Sequence, residues 1–248
     1  MPTTPEATDT AIQLAVDAYR QAVTPPASLG LDISRVETTN RIVLAVAFTK
    51  HPTYIGAAHH LPVVDNLCNL LGKRHVVEIA DDRQKLGEAM VAAMVGVDLD
   101  FHIAEQIITS VLYRISRLGN DASNAFEPVG AGEAWGQVAY LVNGDAYATQ
   151  YLLDEAGLTG RDAIALPTLE AARTLVNMGL LHFSEALYSE DYLRVAARNL
   201  LLEYPKVAFH AIHFVADVYC DQLPSCGLCP CSLSSCGEAC HAVANAWY

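Results

Sequence analysis

Six of the seven cysteines of this 248-residue chain fall between Cys220 and Cys240, a density of thiols that no hydrophobic core requires. The stretch reads C-D-Q-L-P-S-C-G-L-C-P-C-S-L-S-S-C-G-E-A-C-H, with Pro224, Gly227, Pro230 and Gly237 bending the backbone and His241 directly after the last thiol. Soft ligands crowded onto a short, turned segment are how a chain wraps a metal or a cluster. The C-x-x-C at Cys226 and Cys229 lets two thiolates reach one metal from a single turn, and Cys229-Pro230-Cys231 sets a third sulfur beside them.

The expected cofactor is an iron–sulfur cluster of the 4Fe–4S kind, drawn from Cys220, Cys226, Cys229, Cys231, Cys236 and Cys240. If one metal is held instead, the ligands come from Cys220, Cys226, Cys229, Cys236, Cys240 and His241. Iron–sulfur leads because cysteine is almost the sole ligand type and because His241 does not stand at zinc-finger spacing. Structural zinc is the first alternative and a set of disulfides the second. Six thiols exceed the four that one tetrahedral zinc or one cubane requires, so two are spare, or two metals are bound, or some do redox work.

Two known patterns come near this stretch. The layout distantly resembles the helix-hairpin-helix DNA glycosylases of the endonuclease-three type, all-helical proteins that close with a four-cysteine cluster loop. Their spacing is C-x6-C-x2-C-x5-C, whereas Cys220, Cys226, Cys229 and Cys236 are spaced x5, x2 and x6. Their glycine hairpin and catalytic lysine have no counterpart, since Ala165-Leu166-Pro167-Thr168-Leu169 lacks the glycines, and the chain is not assigned to them. Cys236-Gly237-Glu238-Ala239-Cys240-His241 is similar to a c-type haem attachment site with one residue too many.

Charge bears on the partner. Lys and Arg number 15 against 28 Asp and Glu, for a formal net charge of −13, and no Lys or Arg follows Lys206. A nucleic-acid partner wants clustered cations, so none is expected. The apolar runs Ile42 to Phe48 and Met90 to Val97 are too short to cross a bilayer. The first nine residues carry acids and no basic stretch, which does not suit a secretory signal. The default is a cytoplasmic chain, where clustered cysteines bind metal or do redox work more often than they form disulfides. The expected partner is a small molecule or a redox protein, with self-association as a further option for the 52% of hydrophobic residues.

Elsewhere the punctuation is helical, and the fold class is all-α: a multi-helix, bundle-like domain closed by the cysteine-rich loop. The expected divisions are an N-terminal helix and linker over 1–35, a helical body over 36–219 and the metal-binding segment over 220–248. Thr8 or Asp9 caps a first helix with Ile12, Ala15, Val16 and Tyr19 on one face. Further helices are expected over 36–50, from His59–Pro62 to a stop at Gly72 with Val63, Val64, Leu67, Leu70 and Leu71 as the inner face, and after Asp81 or Asp82. Another follows Asp98 or Asp100, with Ile103, Ile107, Ile108, Val111, Leu112 and Ile115 on its apolar face. The rest are expected over 133–156 with a break at Asn143-Gly144, from Leu166-Pro167-Thr168 to about Tyr188 with Pro167 in the first turn, from Ser189 and over 206–219. The run His75 to Ala80 reads as a short strand or a linker, and residues 236–247 as a closing helix.

Three His/Glu or His/His pairs stand at helical i, i+3 spacing: His102 with Glu105, His182 with Glu185, and His210 with His213. Such pairs build di-iron sites inside bundles, although there the order is Glu-x-x-His. With nine histidines, chance spacing accounts for them more simply, and half-buried or capping histidines are the expectation. His210 and His213 carry most interest, because their helix leads into Cys220. Gly130-Ala131-Gly132 with Gly136 lacks the preceding strand that a dinucleotide turn needs.

Overall fold

The computed structural model describes residues 5–23, 28–47, 55–94, 101–127, 134–158, 164–181, 189–220 and 228–233. Among them every regular element is helical and no strand occurs. By contact the chain divides into two compact units, Pro26–Ala165 on one hand and Met1–Pro25 with Leu166–Tyr248 on the other.

The first-named unit contains α2 (Val36–Ala47), α3 (Ile55–Leu70), α4 (Arg83–Ala93), α5 (Phe101–Arg117), α6 (Ala134–Leu141) and α7 (Ala146–Glu155). Its core is mainly aliphatic with one phenyl ring among the largest fully buried side chains, Phe126 together with Ile42, Leu44, Leu67, Ile79, Met90, Ile108, Ile115, Leu141 and Leu152. Helix α2 packs on α3 and α5, and its buried Asn40 grips a turn. The Asn40 amide donates to the Asn120 carbonyl (2.8 Å) and accepts from the Ala122 N–H (2.8 Å). Asn120 sits at φ +65°, a left-handed conformation that Asn tolerates better than most residues. One side chain thus satisfies a donor and an acceptor that burial would otherwise strand.

Local chemistry explains the helix ends. Gly72 at φ +65° stops the helical path after α3: Lys73 N–H reaches the Cys68 carbonyl (2.8 Å) and Gly72 N–H that of Asn69 (3.1 Å), a Schellman closure. The break at Asn143-Gly144 is also present, with both residues at positive φ. Asp145 then caps α7 by accepting from the Ala148 N–H (2.7 Å).

Other expectations are corrected. Helix α3 begins at Ile55, upstream of Pro62, which is accommodated inside it; Leu70, expected on its inner face, is 55% exposed. Asp82 precedes α4 but makes no capping bond, because its carboxylate pairs with Lys73 Nζ (2.8 Å). The run expected as strand or linker is a 3₁₀ helix, Val76–Asp82. Val76 and Ile79, three residues apart, are its buried pair, and three residues per turn brings both to one side. A strand would have needed period two and a neighbouring edge.

The second unit is built from α1 (Pro5–Ala22), α8 (Leu169–Asn177), α9 (Glu190–Leu201), α10 (Val207–Tyr219) and a 3₁₀ turn, Pro230–Leu233. Helix α1 starts ahead of Thr8 and Asp9 and lays Ala11, Ile12, Ala15 and Val16 against α10. Helix α10 also packs on α8, which packs on α9. Thr168 caps α8, accepting from the Ala171 N–H (3.2 Å), so Pro167 stands just outside the helix and not in its first turn. Ser189 caps α9, accepting from the Tyr192 N–H (3.3 Å). The expected helix ends at Asp98 or Asp100, at residue 188 and over 236–247 lie outside the described residues.

Candidate functional site

Three of the six clustered cysteines are described. Cys220 is the residue that ends α10, its N–H still bonded to the Ala216 carbonyl (3.1 Å), and it is half-buried. The helix thus delivers the first thiol at its C-terminus. Cys229 and Cys231 are buried, 7% and 3% exposed, while Leu228 beside them is 78% exposed. The 3₁₀ turn that holds Cys231 packs on α1, and the Cys231 Sγ–H donates to the Ala11 carbonyl at 3.6 Å. A donating thiol carries its proton, whereas a metal ligand has lost it. This bond makes Cys231 an anchor of its turn on α1.

Cys226, Cys236, Cys240 and His241 lie outside the described residues. Among the described residues no group of three or more His, Cys, Asp or Glu side chains stands close enough to hold a metal ion. Cys220, Cys229 and Cys231 do not by themselves form such a group.

The helical histidines divide by environment. His102 is exposed on α5, edge-on to the Phe101 ring (5.6 Å between centroids), and Glu105 is half-buried. The buried face of α5 instead carries Ala104, Ile108, Val111, Leu112 and Ile115. This pair does not enter the core of its unit. Glu105 lines an open groove of about 520 Å³ between α4 and α5, with Arg83, Leu86, Gln106, Thr109 and Tyr113. His182 and Glu185 lie outside the described residues.

His210 is half-buried and stacks on Tyr19 of α1, with 6.1 Å between ring centroids and 16° between planes. His213 is completely buried and packs against Phe209, 4.1 Å between ring centroids. Its Nδ1 lies 2.7 Å from the Phe209 carbonyl, and its Nε2 accepts from the Thr168 N–H at 3.1 Å. A carbonyl can only accept and an amide N–H can only donate, so this network requires the neutral Nδ1–H tautomer. Both ring nitrogens are occupied, and His213 has no lone pair left for a metal. His213, whose helix leads into Cys220, is thus committed to backbone groups and not to a metal.

The seventh thiol, Cys68 on α3, is half-buried, and burial together with the nearby Asp65 and Glu37 carboxylates pushes it up to about 11. A thiol held there stays protonated at neutral pH and is a poor nucleophile. Asp65 is itself in a bidentate pair with Arg41, at 2.5 and 2.6 Å.

No protein-family model matches the chain, and neither a curated protein nor a solved structure matches it. No described helix is long and apolar enough to cross a membrane.

Proposed function

We propose that residues 220–248 bind an iron–sulfur cluster and that the protein serves redox chemistry or electron transfer. The observation that carries this reading is the concentration of six thiols between Cys220 and Cys240 around a C-x-x-C turn. The burial of Cys229 supports it, since a thiol shielded from water is where a cluster keeps its potential and escapes oxidation. Cys220, Cys226, Cys229, Cys236 and Cys240 would supply the ligands, and His241 stands next to the last of them. Bound there, a cluster supplies one-electron transfer. The chain's own part is to hold the thiolates, to seat the loop on α1 through Cys231 and to keep water away with the apolar faces of α1 and α10. The partner under this reading is a redox protein or a small molecule in the cytoplasm, met without nucleic acid or membrane.

Anaerobic purification of the full chain, followed by a visible spectrum with iron, zinc and sulfide analysis, tests the proposal. Brown protein with iron and acid-labile sulfide is the expected result. Colourless protein with stoichiometric zinc would replace it with a structural knot. Metal-free protein with the clustered thiols blocked to alkylation would mean disulfides and another compartment.

A further inference from the structure

The peptide between Pro167 and Thr168 is gripped from both ends. Its carbonyl accepts from Arg194 Nε of α9 (2.7 Å), and its N–H donates to His213 Nε2 of α10 (3.1 Å). Thr168 is also the residue whose hydroxyl caps α8. One peptide unit therefore sets where α8 starts and ties that start to two other helices. Arg194 can only donate, whatever the pH. His213 accepts only while neutral, because a protonated imidazole presents N–H at both nitrogens and would face the Thr168 N–H donor to donor.

We infer that His213 is a proton-sensitive latch that holds the N-terminus of α8 in place at neutral pH and releases it on acidification. Arg194, at the other end of the same peptide, is a fixed cation. On α10, His210 lies one turn back, stacked on Tyr19, and the half-buried Asp217 lies one turn on. The described charged residues of α1 (Glu6, Asp9, Asp17 and Arg20) and of α8 (Glu170 and Arg173) occupy exposed positions, while His213 has no exposed surface.

The sign follows from proton binding. An unfolded imidazole takes up its proton near pH 6.5, and a folded state that must keep the ring neutral binds fewer protons below that point. The latch is therefore complete above about pH 6.5 and loses up to about tenfold in equilibrium for each pH unit below it. Asn40 does the equivalent task in the other unit with an amide that does not titrate. This inference stands apart from the cluster proposal, because it involves none of the clustered thiols.

Hydrogen exchange of the full-length protein, read by mass spectrometry on peptides covering 164–181 and corrected for intrinsic rates, tests it. Between pH 7.5 and 5.5 the wild type should lose about tenfold in protection there. His213→Gln keeps a carbonyl acceptor for the Thr168 N–H but cannot be protonated, and should change by less than about twofold over the same range. Equal losses in both proteins would assign the effect to other groups and overturn the latch. Should His213→Gln fail to fold, the ¹⁵N spectrum of the wild-type imidazole decides. A neutral Nδ1–H ring at pH 7 that protonates only as α8 loses protection supports the latch; an imidazolium or an Nε2–H tautomer at pH 7 overturns it.

Discussion

Asn40 and His213 carry out the same task in the two units. Each is fully buried, and each uses one donor and one acceptor to bind backbone groups. They differ in what holds the backbone besides. The turn at Asn120–Ala122 relies on Asn40 together with its own capping, where the Asp121 carboxylate accepts from the Ser123 N–H (2.8 Å). The entry to α8 is a crossing of three helices, with Arg194 on the same peptide as His213. An amide is indifferent to pH, whereas an imidazole couples the crossing to the proton concentration. Buried polar anchors can thus give one unit a fixed joint and the other a conditional one.

The comparison is broken most directly at Asn40. Asn40→Ala strands the Asn120 carbonyl and the Ala122 N–H and should cost about 3 kcal/mol in urea unfolding. The loss should be the same at pH 5.5 and 7.5; a clear dependence on pH would remove the contrast with His213. A second joint in the same unit uses a charge. Glu155 Oε2 accepts from Ser28 Oγ (2.8 Å), Leu29 N–H (3.0 Å) and, at 3.5 Å, Leu31 N–H. Glu155→Gln should cost about 1.5 kcal/mol and raise hydrogen exchange over residues 28–35 before it affects the helices.

In the other unit, Ser189→Ala removes the α9 cap and should cost about 1 kcal/mol by thermal melting, with Ser189→Asp restoring it. The surface pair gives the smallest expected change. Arg41 and Asp65 are 37% and 44% exposed, so Asp65→Asn should cost only about 0.5 kcal/mol despite the short bonds, and less in 1 M salt. Replacing that carboxylate should also ease the Cys68 thiol downward from about 11. In the wild type, alkylation of Cys68 at pH 8 should run about a hundredfold slower in the folded protein than in urea. Equal rates would mean that Cys68 does not feel its burial.

The sequence also shows where prediction from pattern ends. Ile108, Val111, Leu112 and Ile115 were legible as the inner face of α5 because they recur at helical period. Ile103, assigned to the same face, is 36% exposed, and Ala104 takes the place against the core. A small residue carries almost no signal in such a pattern. His210 and His213 read as a matched pair at i, i+3, yet one stacks on Tyr19 and the other is enclosed with both nitrogens bonded. Spacing places two side chains on a face but does not specify their partners. Asn40 lies among the buried residues of α2, and a lone Asn inside an apolar helix face is the sequence signal of such an anchor.

By itself the amino-acid sequence determined the helical class, the stop at Gly72, the break at Asn143-Gly144, the cap at Ser189 and the thiol-rich end. Each depends on backbone preferences and side-chain chemistry that act within a few residues. Only the tertiary structure decided that α1 packs on α10, that Cys231 donates to the Ala11 carbonyl and that His213 serves a peptide and not a metal. Those contacts join residues up to 220 positions apart, and complementary surfaces select them after the helices exist.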